Sequence, residues 1–187
     1  MKRMLLAIAL LLLATGTEAA TPPPNFGVVV ENAIYRGGQP RNKQFDYIHE
    51  LGVKTILKLN HHDLDDERAA TTRLGMKLVN IPLDPATIGG PETCADIALA
   101  LAVLNDRANW PVYVHCTKGR DRTGYVVGAF REIVQHWTWN EVDAELSQYG
   151  HTTPLRHTYP LIERELRAGA PTCSSEIDQL EGAASAH

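Results

Sequence analysis

A short apolar run that breaks off at a cysteine and reopens as a helix constrains this chain more than any other feature. Val112-Tyr113-Val114-His115 reads as a buried strand, and Cys116 ends it. The loop Thr117-Lys118-Gly119-Arg120-Asp121-Arg122 follows, with one glycine and three cations. Thr123-Gly124 and an apolar helical pattern from Tyr125 to His136 come next. A strand–loop–helix turn of this length points successive backbone N–H groups inward and makes an anion cradle at a helix N-terminus. Cys116 stands at its floor. Five residues separate it from Arg122, whose planar fork can fold back and grip two phosphate oxygens. Gly119 permits a backbone conformation that a β-carbon would resist. Residues Thr117 through Arg122 are therefore the candidate phosphate-binding set.

The same cradle activates the sulfur. A helix N-terminus with cations nearby favours a thiolate, so Cys116 is expected to be an ionised nucleophile near neutral pH, with the Thr123 hydroxyl placed to donate to it. His115 is expected to orient the loop through a backbone contact. The stretch resembles the His-Cys-x5-Arg-Thr signature of the cysteine-dependent protein phosphatases, and its setting between strand and helix makes the match more specific than a bare Cys-x5-Arg. That resemblance implies a reaction: the cysteine attacks phosphorus, a phosphocysteine forms, and water hydrolyses it. Tyr35-Arg36-Gly37-Gly38-Gln39-Pro40 is similar to the Tyr-Arg-Ser-Gly-Gln-Pro segment of the atypical dual-specificity branch, with Gly37 in place of serine. Without the resemblance it reads as a plain Gly-Gly turn.

A leaving alkoxide or phenolate needs an acid. Asp84, in Ile81-Pro82-Leu83-Asp84-Pro85, lies 32 residues before Cys116, a spacing similar to that of the general acid in the dual-specificity branch. Gly89-Gly90-Pro91 behind it would let the loop close over a substrate. The bland alternative is an Asp-Pro turn. Asp121 is the rival acid, because a few phosphoinositide phosphatases carry Asp immediately before the loop arginine. Lys118 and Arg120 add more charge than one phosphate monoester requires, and such loops resemble those of family members acting on inositol phosphates and phosphoinositides. Asn60-His61-His62-Asp63 reads as a polar rim and not a metal site, since adjacent side chains on an extended segment point to opposite sides. No cofactor is expected.

Composition narrows the partner. Lys2 and Arg3 precede eleven apolar residues, Met4 to Ala14, and then small and polar residues to Ala20. This reads as a secretory signal peptide cleaved after Ala19 or Ala20, too short for a stable membrane anchor. The expected product is exported, periplasmic or secreted. It would carry 16 Lys+Arg against 21 Asp+Glu, a net charge of −5, which argues against nucleic acid. A phosphorylated protein side chain or a small polyanionic phosphate fits better; oligomeric state is left open. Export also bears on Cys94, Cys116 and Cys173, the three cysteines of the chain. A structural Cys94–Cys173 pair that spares Cys116 is favoured over a protective Cys94–Cys116 bridge or three free thiols.

Along the rest of the chain, strands are expected at 26–30, 33–36, 53–59, 76–81 and 111–115. Helices are expected from about Asn42 to Leu51, Asp65 to Leu74, Pro91 to Arg107 and Thr138 to near Gly150. A last one spans Leu155 to Ala168, restarting or kinking at Pro160. Alternation of strands and helices implies an α/β fold, a central and largely parallel sheet flanked by helices. The division is a leader at 1–20, one catalytic domain at 21–170 and a weakly ordered tail at 171–187. Two other function classes remain: a binding module that holds phosphorylated ligands without turnover, and a thiol redox or sulfur-transfer protein.

Overall fold

The computed structural model describes residues 20–84, 86–152 and 160–169, together with Cys173 and Ser175. The leader, Pro85 of the acid-bearing loop, the start of the last helical stretch and most of the tail lie outside the described residues.

Five strands form one sheet: β1 (Gly27–Val30), β2 (Ile34–Gly37), β3 (Thr55–Lys58), β4 (Lys77–Asn80) and β5 (Val112–His115). Their order is β1-β2-β5-β3-β4. Only β1 runs antiparallel, joined to β2 through a turn in which Asn32 takes a left-handed φ of 56°. The other pairs are parallel, as the strand–helix alternation requires. Gly37, His115 and Lys58 share one row across the middle of the sheet, so Cys116 emerges at the carboxyl end of the central strand. That edge is where open α/β sheets place ligands.

Successive strand side chains point to opposite faces, and here both faces are covered. Ile34, Leu57, Val112 and Val114 pack into the larger core cluster, while Tyr35, Ile56 and Tyr113 pack into the smaller one. Thus β3 is buried at every residue, Lys58 included. Leu57 and Leu59 pack into the larger cluster, whereas Val53, which a strict alternation would put on the same face, packs into the smaller one. Each fully buried aliphatic side chain contributes about 1.5–3 kcal/mol.

Six helices are described: α1 (Gln44–Glu50), α2 (Leu64–Arg73), α3 (Cys94–Asn105), α4 (Asp121–Ile133), α5 (Trp139–Gln148) and α6 (Pro160–Arg167). Asn42 sits at φ 47° ahead of α1, so that helix opens later than its polar start suggests. The single helix expected from Pro91 to Arg107 is three pieces. A 3₁₀ turn at Pro91–Thr93 precedes α3, and an extended Asp106 then breaks it before a second turn at Arg107–Asn109. The Asp106 carboxylate accepts from the Ala108 N–H at 2.9 Å, stabilising the break. Thr138 and Glu141 form the expected capping box of α5. Trp110, Trp137 and Trp139 pack partly buried against the core.

The largest departure is α4, which starts at Asp121, four residues before the apolar pattern does. The Gly124 N–H donates to the Arg120 carbonyl at 2.7 Å, so Asp121 to Gly124 make the first turn although Asp121, Thr123 and Gly124 are poor helix formers. Arg122 and Thr123 are consequently helical residues whose positions the loop closure sets. Cys94 and Cys173 form a disulfide, and Cys116 is the free thiol. Cys173 belongs to the segment expected as a tail, yet it is fully buried.

Candidate active site

The loop from Cys116 to Arg122 is held by its carbonyls. His115 Nδ1 lies 3.2 Å from the Cys116 carbonyl oxygen, the backbone contact expected of it. The Gln39 N–H donates to the Thr117 carbonyl at 3.2 Å. The Asn25 side-chain amide donates to the Lys118 and Gly119 carbonyls at 3.4 and 3.1 Å, and Arg36 Nη2 donates to the Gly119 carbonyl at 3.2 Å. A trans peptide sets its C=O and N–H on opposite sides. Four carbonyls drawn outward therefore turn the N–H groups of Thr117, Lys118, Gly119 and Arg120 toward the middle of the loop. Gly119 takes φ +71°, and a β-carbon there would come within 2.6 Å of the Gly38 nitrogen. The loop lies flat on the Gly37-Gly38 segment, and a β-carbon at Gly37 would in turn run into the Tyr113 hydroxyl. That contact accounts for glycine where the similar segment has serine.

Beneath the loop lies a buried polar network. His115 Nε2 is 2.6 Å from Glu67 Oε1, and Lys58 Nζ donates to Glu67 Oε2 at 2.7 Å; all three side chains are at most 1% exposed. Burial pushes the Glu67 carboxyl up, but the hydrogen bonds and charges of His115 and Lys58 outweigh it and hold the group below the usual carboxylate range. Asn60 Nδ2 donates to Gln39 Oε1 at 2.8 Å and to Thr117 Oγ1 at 3.0 Å, joining this network to the loop. Tyr113 donates its hydroxyl to the Gly38 carbonyl at 2.6 Å; burial first, then the charges of Glu67 and Cys116, raise its phenol well above the ordinary value.

Cys116 is 3% exposed at the floor. Arg122 folds back across the loop, with Nη2 donating to Thr117 Oγ1 at 3.2 Å and Nη1 to the Leu59 carbonyl at 3.5 Å. Lys118 is exposed and Arg120 half-buried. Thr123 is fully buried, but its hydroxyl has no hydrogen-bond partner among the described residues, so the expected bond to Cys116 is not made here. Asp84 is exposed at its loop, where Oδ1 accepts from the Ala86 N–H at 2.9 Å. Gly89 and Gly90, expected as the yielding end of that loop, are buried, Gly89 against the Leu161 backbone of α6. Asp121 instead pairs with the buried His151, Oδ1 to Nδ1 at 2.8 Å.

The tyrosine phosphatase family profile matches residues 20–164. The chain belongs to that family. An inositol diphosphatase of Arabidopsis thaliana, DSP3, is 34% identical over 144 residues, covering 74% of this chain and 67% of the relative. The core catalytic domain of the PP-IP phosphatase SIW14 from S. cerevisiae, solved with citrate, superposes with a TM-score of 0.68 at 26% identity, over 79% of this chain and 86% of that one. P. aeruginosa TpbA, solved in complex with phosphotyrosine, also gives a TM-score of 0.68, over 88% of this chain and 94% of the other. At 20% identity that likeness speaks for the fold alone. The chain is a cysteine-dependent phosphatase, and phosphomonoester hydrolysis is its reaction.

For this tyrosine phosphatase family member, sequence reasoning found the loop and the Tyr35–Pro40 segment, but not the contacts by which Arg36, Gln39 and more remote residues support the loop. Asn25, Arg36 and Gln39 lie 78 to 94 residues from the loop carbonyls they hold, while Lys58 acts through Glu67, nine residues on. One signal was available: Lys58 and Arg36 each fall in a strand pattern next to apolar residues, where a buried charge demands a partner.

Proposed function

We propose that this phosphatase removes a phosphoryl group from a small, multiply phosphorylated substrate of the inositol phosphate class. Cys116 Sγ attacks phosphorus while the leaving oxygen takes the Asp84 proton, which gives a phosphocysteine and a free hydroxyl. Water, deprotonated by Asp84, then attacks phosphorus, releasing inorganic phosphate and the Cys116 thiolate. Arg122 and the inward N–H groups stabilise the charge on the transferring oxygens. To reach the leaving oxygen, the Asp84 side chain has to leave the Ala86 amide.

The observation that carries the substrate class is an open cleft of about 810 Å³ beside the loop. Arg41, Lys43 and His62 line it together with Gln39, Asp63 and Thr117. Arg41 and Lys43 bring cations to it for phosphates other than the one transferred, and the exposed Lys118 follows Thr117 in the loop at its edge. The inositol diphosphatases among the relatives support the same reading. The test compares kcat/KM for an inositol polyphosphate, an aryl monophosphate and a phosphotyrosine peptide. A higher value for the polyphosphate is expected, and Lys118→Ala should narrow the gap. Preference for the phosphopeptide would overturn the assignment.

We propose that the working compartment is an oxidising one. The signal-like residues 1–20 and the Cys94–Cys173 disulfide support export to an oxidising space. Protein recovered from the cell envelope or medium should begin at Ala20 or Thr21; an intact Met1 on the cytoplasmic protein alone would refute this.

A further inference from the structure

We propose that Asn25 is a positioning residue of the phosphate cradle, acting through the peptide between Gly119 and Arg120. The inference rests on reading the loop from Cys116 to Arg122 as the phosphate site. Asn25 lies in the segment leading into β1, 94 residues from Gly119. Its amide has two hydrogens and faces three carbonyls: Lys118 at 3.4 Å, Gly119 at 3.1 Å and Tyr149 at 2.9 Å.

The Gly119 carbonyl has two lone pairs, and it takes one donor from Asn25 and one from the fully buried Arg36. Glycine offers little resistance to peptide rotation. Without those donors the Gly119–Arg120 peptide can turn over and present its oxygen to the anion. Asn25 therefore helps decide the sign of the dipole that phosphate meets.

The residue is built for this place. It sits at φ +55°, a conformation that asparagine tolerates better than most residues. The Pro24 carbonyl beside it accepts from the Gly38 N–H at 2.7 Å, pinning the segment to the turn beneath the loop. The third bond reaches Tyr149, whose ring lies 3.8 Å from the Arg36 guanidinium carbon. One residue thus braces both donors of the Gly119 carbonyl.

The test uses Asn25→Asp, which keeps the shape but loses the donors, and Asn25→Gly, which keeps the backbone conformation. The readouts are the orthovanadate inhibition constant, kcat and KM on an aryl phosphate, and Tm. Both variants should weaken vanadate about five- to tenfold and lower kcat by a similar factor, as expected for one lost hydrogen bond. Asn25→Asp should be the worse, because its carboxylate faces carbonyls. Loss of packing alone would lower Tm and the amount of active enzyme without moving the inhibition constant. A folded Asn25→Gly protein with an unchanged vanadate constant overturns the proposal. Wild-type protein that binds no vanadate overturns the phosphate-site reading and this inference with it.

Discussion

The two loops that carry the candidate chemistry leave the same edge of the sheet and are held in opposite ways. In the loop after β5, the Thr117, Lys118 and Gly119 carbonyls are taken by donors from elsewhere, some 78 to 94 residues away. In the loop after β4, the Asp84 carboxylate and carbonyl bond, among the described residues, to the amides of Ala86, Thr87 and Ile88. Groups that stabilise charge in a transition state work best when fixed beforehand. An acid that serves leaving groups of different shape has to move instead. One loop is fixed by partners distant in the chain, and the carboxylate of the other is held by its immediate neighbours.

That contrast can be broken at its strongest point. Cys116→Ser should abolish phosphate release while leaving orthovanadate binding intact, because the cradle amides remain. Measurable turnover by the folded variant would place the nucleophile elsewhere.

The floor should respond next. Glu67→Gln leaves Lys58 buried without its counter-charge, a loss of about 3–5 kcal/mol. The pH dependence has a definite sign. Glu67 titrates lower when folded than unfolded, so its contribution is present above about pH 4.3 and is lost as pH falls through the folded value. Urea unfolding of both proteins at several pH values should show a gap that is wide at neutrality and closes in acid. A gap independent of pH would mean that Glu67 acts by shape alone.

The acid loop should give the smallest and most selective response. Asp84→Asn is expected to slow an alkyl phosphate about a hundredfold and a nitrophenyl phosphate far less, with loss of the basic limb of the pH–rate profile. The same signature from Asp121→Asn, with Asp84→Asn silent, would transfer the role to the residue that His151 now holds.

The parts legible in the sequence are the local ones. The loop from Cys116 to Arg122, the capping box at Thr138 and the Cys94–Cys173 pair each rest on a short pattern or a count. The start of α4 was not legible, because Asp121, Thr123 and Gly124 have low helix propensity and closure of the loop is what makes the turn helical. Lys58 was not either: it needs Glu67 from α2 and His115 from β5, three elements that the sheet order brings together. Asn25 is the extreme case, a lone polar residue beside three prolines whose partners lie 93 to 124 residues away.

The disulfide has a consequence for chemical damage. Cys94 and Cys173 occupy each other, and the chain has no fourth cysteine. Peroxide that converts Cys116 to a sulfenic acid leaves it without a resolving thiol in its own molecule. Only an external thiol can return it, and further peroxide carries it to the sulfinic acid. A fold that protects its nucleophile from mispairing thereby leaves it exposed to overoxidation.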